Sequence, residues 1–188
     1  MLNLAHTLSC STVNGPGERF TLWVQGCPFK CPGCWNPDTW AFVPRELRNV
    51  EDLAAEILST QGIEGVTFTG GEPFSQARAL ALLAVRVQAA GLSVFAFTGY
   101  ELEELILPEH HELLSVTDIL VTGRYLQALH TTDLVWRGSS NQQVHFITGR
   151  YGPDDLKQTA EVEFHLAENG TIAVTGFPAP DLLAVLSS

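Results

Sequence analysis

Short hydrophobic runs alternate with longer segments of helical periodicity over most of the chain. The runs over residues 19–25, 65–69 and 92–98 are rich in β-branched and aromatic residues, which is typical of buried strands. Two further runs, over residues 118–122 and 143–148, predict a fourth and a fifth strand. The pattern therefore predicts a sheet whose strands are separated by helices.

The segments between these strands predict three helices, over residues 49–61, 75–90 and 101–107. Asn49 is a suitable N-cap for the first helix, and Leu53, Ile57 and Leu58 are expected to share its buried face. Pro108 is expected to end the third helix, because a proline cannot continue the hydrogen-bonded ladder.

The predicted fold is α/β, because strands joined through helices of this length are typical of parallel βα units. About five to six mainly parallel strands are too few for an eight-stranded barrel, so we expect an open, partial (β/α) barrel with its chemistry on the loops that follow the strands. Alternation over 161–166 and 171–175 around the turn AENG predicts a C-terminal β-hairpin appendage, and 181–186 predicts a last helical turn. We expect a partial barrel over residues 1–150 and a hairpin extension over 151–188, packed on the same domain.

Composition narrows the classes of partner. The 188 residues are 45% hydrophobic, and ten Lys and Arg against 21 Asp and Glu give a formal charge of −11. Nucleic-acid binding depends on basic residues that meet phosphates, so we predict no nucleic-acid partner. No apolar run approaches the ~20 residues of a membrane span, and the N-terminus lacks the pattern of a secretory signal. We therefore expect a cytoplasmic protein without a membrane partner, whose clustered cysteines are metal ligands and not disulfides.

The stretch GCPFKCPGCWNP carries three cysteines, Cys27, Cys31 and Cys34, in the spacing C-x3-C-x2-C. Iron–sulfur clusters and structural zinc sites usually take four ligands. Three thiolates on one loop therefore indicate a soft metal centre with one open position for a substrate or cofactor. The alternative is a zinc site with a distant histidine as its fourth ligand. Cys10, outside the cluster, is predicted to be a buried free thiol.

A second motif, TGGEP over residues 69–73, follows the second predicted strand. Gly70 and Gly71 permit close approach of the backbone to a ligand, and Glu72 adds an acceptor suited to an ammonium group. Alone, the motif is compatible with an ordinary strand-to-helix turn. Its position one βα unit after the cysteine loop indicates a ligand site.

With these two motifs the chain resembles the radical S-adenosylmethionine enzymes. The segment NGPGERFTLWVQGCPFKCPGCWNPDTW at 14–40 is similar to the opening of glycyl-radical-enzyme activases. Three later segments resemble the activating proteins of anaerobic ribonucleotide reductase, a family of such activases: FAFTGYELEEL at 95–105, DILVTGRYLQ at 118–127 and LVWRGSSNQQVH at 134–145. The resemblance implies that the three cysteines hold a [4Fe–4S] cluster and that S-adenosylmethionine binds its remaining iron. Reductive cleavage of that cofactor would then give a radical that takes hydrogen from the substrate.

The same resemblance implies a set of cofactor-binding residues. They are Gly33, Trp35 and Asn36 beside the adenosyl group; Gly70, Gly71 and Glu72 at the methionyl ammonium; Thr98 and Gly99 at the ribose or methionyl portion; Arg124 at the methionyl carboxylate; and Arg137, Ser139 and Asn141 on the far side. Arg137 is also compatible with a surface charge, and the Thr98–Gly99 pair with a simple turn. The chain departs from the family at Thr122, where an aspartate is usual.

The expected function is therefore that of a radical S-adenosylmethionine oxidoreductase. It would take an electron from flavodoxin or ferredoxin and remove hydrogen from a glycine of a partner glycyl-radical enzyme, the large subunit of anaerobic ribonucleotide reductase. The departure at Thr122 and the C-terminal extension leave a second interpretation open, a radical enzyme that modifies another peptide or a small molecule. A third is a zinc or iron–sulfur binding module without radical chemistry.

Overall fold

The computed structural model describes residues 1–157, 162–166, 170, 172–177 and 182. A seven-stranded sheet forms its centre, with strands β1 Leu2–Ser11, β2 Arg19–Val24, β3 Glu46–Arg48, β4 Gly65–Gly70, β5 Ser93–Phe97, β6 Ile119–Thr122 and β7 Gln143–Phe146. The strand order is β3-β1-β2-β4-β5-β6-β7. A separate hairpin pairs β8, Val162–Leu166, with β9, Ile172–Gly176.

The four central strands, β2, β4, β5 and β6, run parallel. The outer pairings, of β1 with β2 and β3 and of β6 with β7, are antiparallel. A mixed α/β fold with a mostly parallel central sheet and a C-terminal hairpin is thus confirmed. The predicted helical turn over residues 181–186 lies, except for Leu182, outside the described residues.

The three α-helices are α1 Val50–Ser59, α2 Ala77–Ala89 and α3 Pro108–Ser115. The predicted cap of α1 is confirmed, because the Asn49 side chain accepts a hydrogen bond from the backbone N–H of Glu51. Leu53 and Ile57 are fully buried, but Leu58 is 44% exposed, so its assignment to the buried face was wrong. The buried positions, Val50, Leu53, Ala54 and Ile57, follow the i, i+3, i+4, i+7 spacing of one helical face.

The prediction that Pro108 ends a helix was also wrong. Pro108 is the first residue of α3. At this position a backbone N–H would have no acceptor within the helix, so proline costs no hydrogen bond there. The segment predicted as a third helix instead contains a 3-10 turn over Leu102–Glu104. Another 3-10 turn, Pro73–Gln76, precedes α2, which begins two residues after the predicted start at Ser75.

The two faces of the sheet have different roles. Alternate residues of the parallel strands, such as Phe68 and Val94, join α1, α2 and α3 in the main hydrophobic core. Residues of the other parity, such as Phe95 and Val121, pack in a second cluster with Trp136. Because successive side chains point to opposite faces, the face away from the helices is left for the site.

Arg19 is wholly buried and ties the loop before β2 to the parallel strands. Its guanidinium donates to the Thr67 hydroxyl (2.8 Å), to the Pro16 carbonyl (3.0 Å) and to the Ser93 hydroxyl (3.0 Å). Burial lowers the pKa of Arg19 to about 10. The Thr67 hydroxyl in turn donates to the carbonyl of Asn14 (2.6 Å), so this network fixes a loop that reaches the cavity described next.

Candidate functional site

A cavity of about 380 Å³ lies at the carboxyl ends of the parallel strands. The loops after β2, β4, β5 and β6 all contribute to its wall, as expected for an α/β sheet. Its size is in the range of small-molecule sites. The predicted site residues that line it are Cys27, Cys31, Cys34, Trp35, Asn36, Gly70, Gly71, Glu72, Thr98 and Gly99.

The cysteine loop follows β2 and presents three free thiols to this cavity. Burial raises the pKa of the Cys27 thiol, although backbone N–H groups of Phe29 and Lys30 donate to its sulfur and act in the opposite direction. The sulfur of Cys34 accepts from the backbone N–H of Asn36 at 3.4 Å. The N–H groups of Phe29 and Lys30 favour the thiolate form of Cys27, which is the form that binds metal.

The donor set fits an iron–sulfur cluster, because three soft thiols on one loop face the same cavity. Among the residues that the structure describes, no group of three or more His, Cys, Asp or Glu side chains is arranged to hold a metal ion. A [4Fe–4S] cluster makes a different demand from a single ion, since its cysteines bind separate irons. Cys10 is exposed, so the prediction of a buried thiol there was wrong; its sulfur lies 3.7 Å from the Glu18 carboxylate.

The two sequence motifs are joined directly through their backbones. The N–H of Gly71 donates to the Val24 carbonyl (2.8 Å), and the N–H of Glu72 donates to the Gly26 carbonyl (2.8 Å). A Cβ at position 71 would lie 2.4 Å from the Gly26 oxygen, and Gly70 has a φ of +94°. The glycines therefore permit close approach of the cysteine loop, in addition to any approach by a ligand.

The Glu72 carboxylate is buried and already holds neighbouring groups. One oxygen accepts from the Phe74 N–H (2.9 Å) and the Thr98 hydroxyl (2.8 Å), and the other from the Gly99 N–H (2.8 Å). Burial raises the pKa of Glu72 to about 7, against the effect of these hydrogen bonds. A carboxylate offers about four acceptor positions, so one position remains for a donor from a ligand.

Five predicted site residues do not line the cavity: Gly33, Arg124, Arg137, Ser139 and Asn141. The guanidinium of Arg124 lies 4.5 Å from the Phe29 ring centroid and donates to Glu104 at 3.2 Å. Ser139 and Asn141 instead hold the loop after β6, through the Leu126 N–H (3.2 Å) and the Arg124 carbonyl (2.9 Å).

Sequence reasoning missed Gln142, which lines the cavity and fastens two of its loops. Its side chain donates to the Gly123 carbonyl (3.0 Å) and accepts from the Gly138 N–H (2.8 Å). It also missed His6, whose ring stacks on Trp23 with centroids 4.3 Å apart at the cavity wall. Alternation along β1 would place His6 on the core face with Leu2 and Leu4, but a β-bulge between Leu4 and His6 turns it to the cavity side.

The C-terminal hairpin supplies another part of the wall that the sequence did not locate. Val174, Thr175, Gly176 and Phe177 all line the cavity. The Phe177 ring lies 5.4 Å from that of Trp35, the residue after the third clustered cysteine. Trp35 also contacts the rings of Tyr125 and His130 at 5.8 and 5.9 Å, so an aromatic cluster links the hairpin to the cysteine loop.

Comparison with known families first defines the class of protein. Residues 13–145 match the family model described as a 4Fe-4S single cluster domain. This span contains the cysteine loop, the Gly-Gly-Glu turn, strands β2 to β6 and most of β7, but not the C-terminal hairpin. Among the described residues, no helix combines the length and apolar character needed to cross a membrane.

Curated relatives then define the family. The chain is 35% identical over 143 residues to the anaerobic ribonucleoside-triphosphate reductase-activating protein of Escherichia coli K12, covering 72% of this chain and 92% of that one. It is 36% identical over 144 residues to that of Vibrio cholerae, with the same coverage, and 35% identical over 150 residues to that of Enterobacteria phage T4, covering 76% and 93%. The chain belongs to the family of anaerobic ribonucleoside-triphosphate reductase-activating proteins.

Solved structures give a weaker likeness. The crystal structure of QueE from Escherichia coli is 22% identical, with a TM-score of 0.41 and coverage of 52% of each chain. A likeness at this level supports no conclusion about the site.

Proposed function

We propose that this protein activates an anaerobic ribonucleoside-triphosphate reductase by removing a hydrogen atom from one glycine of that partner. The observation that carries the proposal is the cavity in which three free thiols and the Gly-Gly-Glu turn meet. Membership of the activating-protein family supports the same reaction. The chain would act in the cytoplasm on an electron from flavodoxin or ferredoxin, and its sheet would curl as a partial (β/α) barrel around the cavity.

Cys27, Cys31 and Cys34 would hold a [4Fe–4S] cluster. The cluster, with S-adenosylmethionine bound, supplies one-electron cleavage of the sulfonium and the hydrogen abstraction that follows. Backbone N–H groups beside the sulfurs of Cys27 and Cys34 would remain as hydrogen-bond donors to these sulfurs when they hold the cluster. The aromatic ring of Phe177 against Trp35 would exclude water from the far side of this loop.

The Gly-Gly-Glu turn would hold the ammonium group of the cofactor. Glu72 has one acceptor position left after its bonds to Phe74, Thr98 and Gly99. Burial raises the pKa of Glu72 to about 7, and a cationic donor beside it would favour its ionised, negative form. We place the methionyl portion of the cofactor along this edge of the cavity, and the adenosyl group towards Trp35 and Asn36, which line the cavity in the same loop as Gly33.

Arg124 would reach the methionyl carboxylate only after leaving Glu104. The two side chains are 43% and 41% exposed, and ion pairs of this exposure contribute little to stability. Replacing the Glu104 carboxylate with the methionyl carboxylate as the partner of Arg124 would therefore cost little free energy. Ser139 and Asn141 would close the far side of the site by fixing the loop that carries Arg124. Arg137, whose side chain donates to the Val135 carbonyl at 3.4 Å, would lie on the same side.

Replacing Glu72 with Gln is expected to weaken S-adenosylmethionine binding about tenfold or more. The carboxamide lacks the negative charge that would face the ammonium group. Its NH₂ group is also a donor, so it cannot accept the hydrogen bond that one of the Phe74, Thr98 and Gly99 donors makes to Glu72. Hydrogen bonds to charged groups contribute about 1.5–3 kcal/mol, and 1.4 kcal/mol is a factor of ten. Binding is measured by anaerobic calorimetry on the iron-loaded protein, with the exposed Glu103→Gln as the matched control. Equal affinities in Glu72→Gln and wild type would remove Glu72 from the cofactor site.

Transfer of deuterium tests the proposed reaction. The reductase is produced with deuterated glycine and incubated anaerobically with the iron-loaded protein, S-adenosylmethionine and a reductant. We expect one deuterium in the 5′-deoxyadenosine product, detected by mass spectrometry. Product without deuterium, formed at the same rate with or without the reductase, would favour a different substrate.

A further inference from the structure

The C-terminal hairpin lies outside the part of the chain that the family model matches, which ends at residue 145. The hairpin nevertheless forms part of the cavity wall through the end of β9. The hairpin therefore adds residues to the wall of the cavity that the matched part of the chain does not supply.

One face of the hairpin is polar and fastens it to the body of the protein. The Glu163 carboxylate accepts from the hydroxyl of Ser11 (2.7 Å) and from the N–H and hydroxyl of Thr12. Its cross-strand neighbour Thr175 accepts from the Asn14 side chain at 2.9 Å. These bonds hold the polar face against the end of β1 and the loop that follows it.

The opposite face is apolar and exposed. Phe164, Leu166 and Ile172 are 49%, 76% and 57% exposed. Leu166 pairs with Ile172, and Phe164 with Val174, so the four side chains are neighbours on one face. A half-solvated hairpin normally turns its apolar face inward, and here the order is reversed. Contiguous exposed apolar surface of this kind marks an interaction site.

This apolar face, which we call the hairpin strip (Phe164, Leu166, Ile172 and Val174), is continuous with the cavity. Val174 belongs to the strip and also lines the cavity, and Thr175 to Phe177 continue the wall inward. A surface patch and a reaction site that share a residue can be covered by one ligand. The strip therefore leads from the protein surface to the proposed position of the chemistry.

The volume of the cavity indicates what kind of ligand this is. About 380 Å³ suits a small molecule, and the cluster and cofactor would occupy much of it. A polypeptide substrate can therefore place little more than the reacting residue inside. Its flanking residues must bind at the mouth, where apolar contacts supply affinity.

We propose that the hairpin strip is the docking surface for the polypeptide segment that flanks the reacting glycine of the partner reductase. This inference rests on the proposed function and names the surface through which the partner is recognised. The segment it fits is an extended one with apolar side chains at alternating positions, because the strip presents its own side chains with the same period of two.

The test replaces the three strip residues that do not line the cavity and keeps Val174. A triple variant, Phe164→Ser, Leu166→Ser and Ile172→Ser, is compared with a control triple variant in which Leu58, Leu82 and Val85 become Ser. The control residues are similarly exposed, at 44%, 59% and 48%, but lie on α1 and α2 away from the cavity. Affinity for immobilised anaerobic ribonucleoside-triphosphate reductase is measured anaerobically on iron-loaded protein.

We expect the strip variant to bind the reductase at least about tenfold more weakly than the wild type. It should retain the iron content and the rate of S-adenosylmethionine cleavage without reductase, and the control variant should bind as the wild type does. Equal affinity for reductase in the strip variant and the wild type would refute the assignment of the strip as the docking surface while leaving the proposed function intact. A wild-type protein that binds no reductase would refute both.

Two other occupants would also overturn the proposal. If sedimentation shows that the wild type self-associates and only the strip variant is monomeric, with unchanged affinity for reductase, the strip binds a second copy of this chain. If the strip variant keeps its affinity for reductase, and truncation after Phe177 leaves that affinity unchanged while increasing the binding of a hydrophobic dye to the strip, the chain's own C-terminal residues occupy the strip.

Discussion

Replacement of Cys31 with Ala is expected to abolish reductive cleavage of S-adenosylmethionine, and the same holds for Cys27 and Cys34. All three thiols line the same cavity. A cluster held by only three protein ligands cannot lose another and remain bound. The measurement is 5′-deoxyadenosine formed by the anaerobically reconstituted protein with a chemical reductant, together with iron per chain.

Cys10→Ala is the matched control, because Cys10 is an exposed free thiol outside the cavity wall. That variant should cleave the cofactor as the wild type does. Sustained cleavage by the Cys31→Ala protein, or loss of cleavage in Cys10→Ala alone, would contradict the assignment of the cluster ligands.

Gly71→Ala is expected to have the second-largest effect, through the backbone that joins the two motifs. The added Cβ would lie 2.4 Å from the Gly26 oxygen and 2.9 Å from the Val24 oxygen. Both atoms are backbone, so the cysteine loop has to move away from the turn after β4. Overpacking of this kind costs about 1–3 kcal/mol, and the displaced loop should lose most of its iron.

Gly149→Ala provides the comparison, because a Cβ at that position would meet no atom within 4 Å. The free energy of unfolding in urea and the iron content are measured for both variants. We expect Gly149→Ala to match the wild type in both. Full iron content and unchanged stability in Gly71→Ala would show that the glycine is not needed for the contact between the loops.

The parallel core of the fold followed from local sequence, because buried strands such as β5 (SVFAF) and β6 (ILVT) are short, largely apolar runs. β1 escaped prediction since it is amphipathic and pairs antiparallel, with only alternate residues such as Leu2 and Leu4 fully buried. Pro108 was misassigned because a proline is equally suited to follow one helix and to begin the next.

Some residues of the site were predictable from local sequence and others were not. The cysteines and Gly-Gly-Glu turn lie in short contiguous motifs, and the structure places them in one cavity. The contributions of Gln142, His6 and the hairpin depend on contacts between residues far apart in sequence, which no local pattern reports. Arg124 shows the reverse case, because its motif is local but its side chain pairs with Glu104 and lies outside the cavity wall.

The central claim is that this protein makes a glycyl radical in its partner, and electron paramagnetic resonance measures that radical directly. Iron-loaded protein, S-adenosylmethionine and reductant are incubated with the anaerobic ribonucleoside-triphosphate reductase, with Cys31→Ala protein as the control. We predict a doublet signal that collapses to a singlet when the reductase contains deuterated glycine, and no signal with the Cys31→Ala protein. Cofactor cleavage without any radical on a competent reductase would contradict the account.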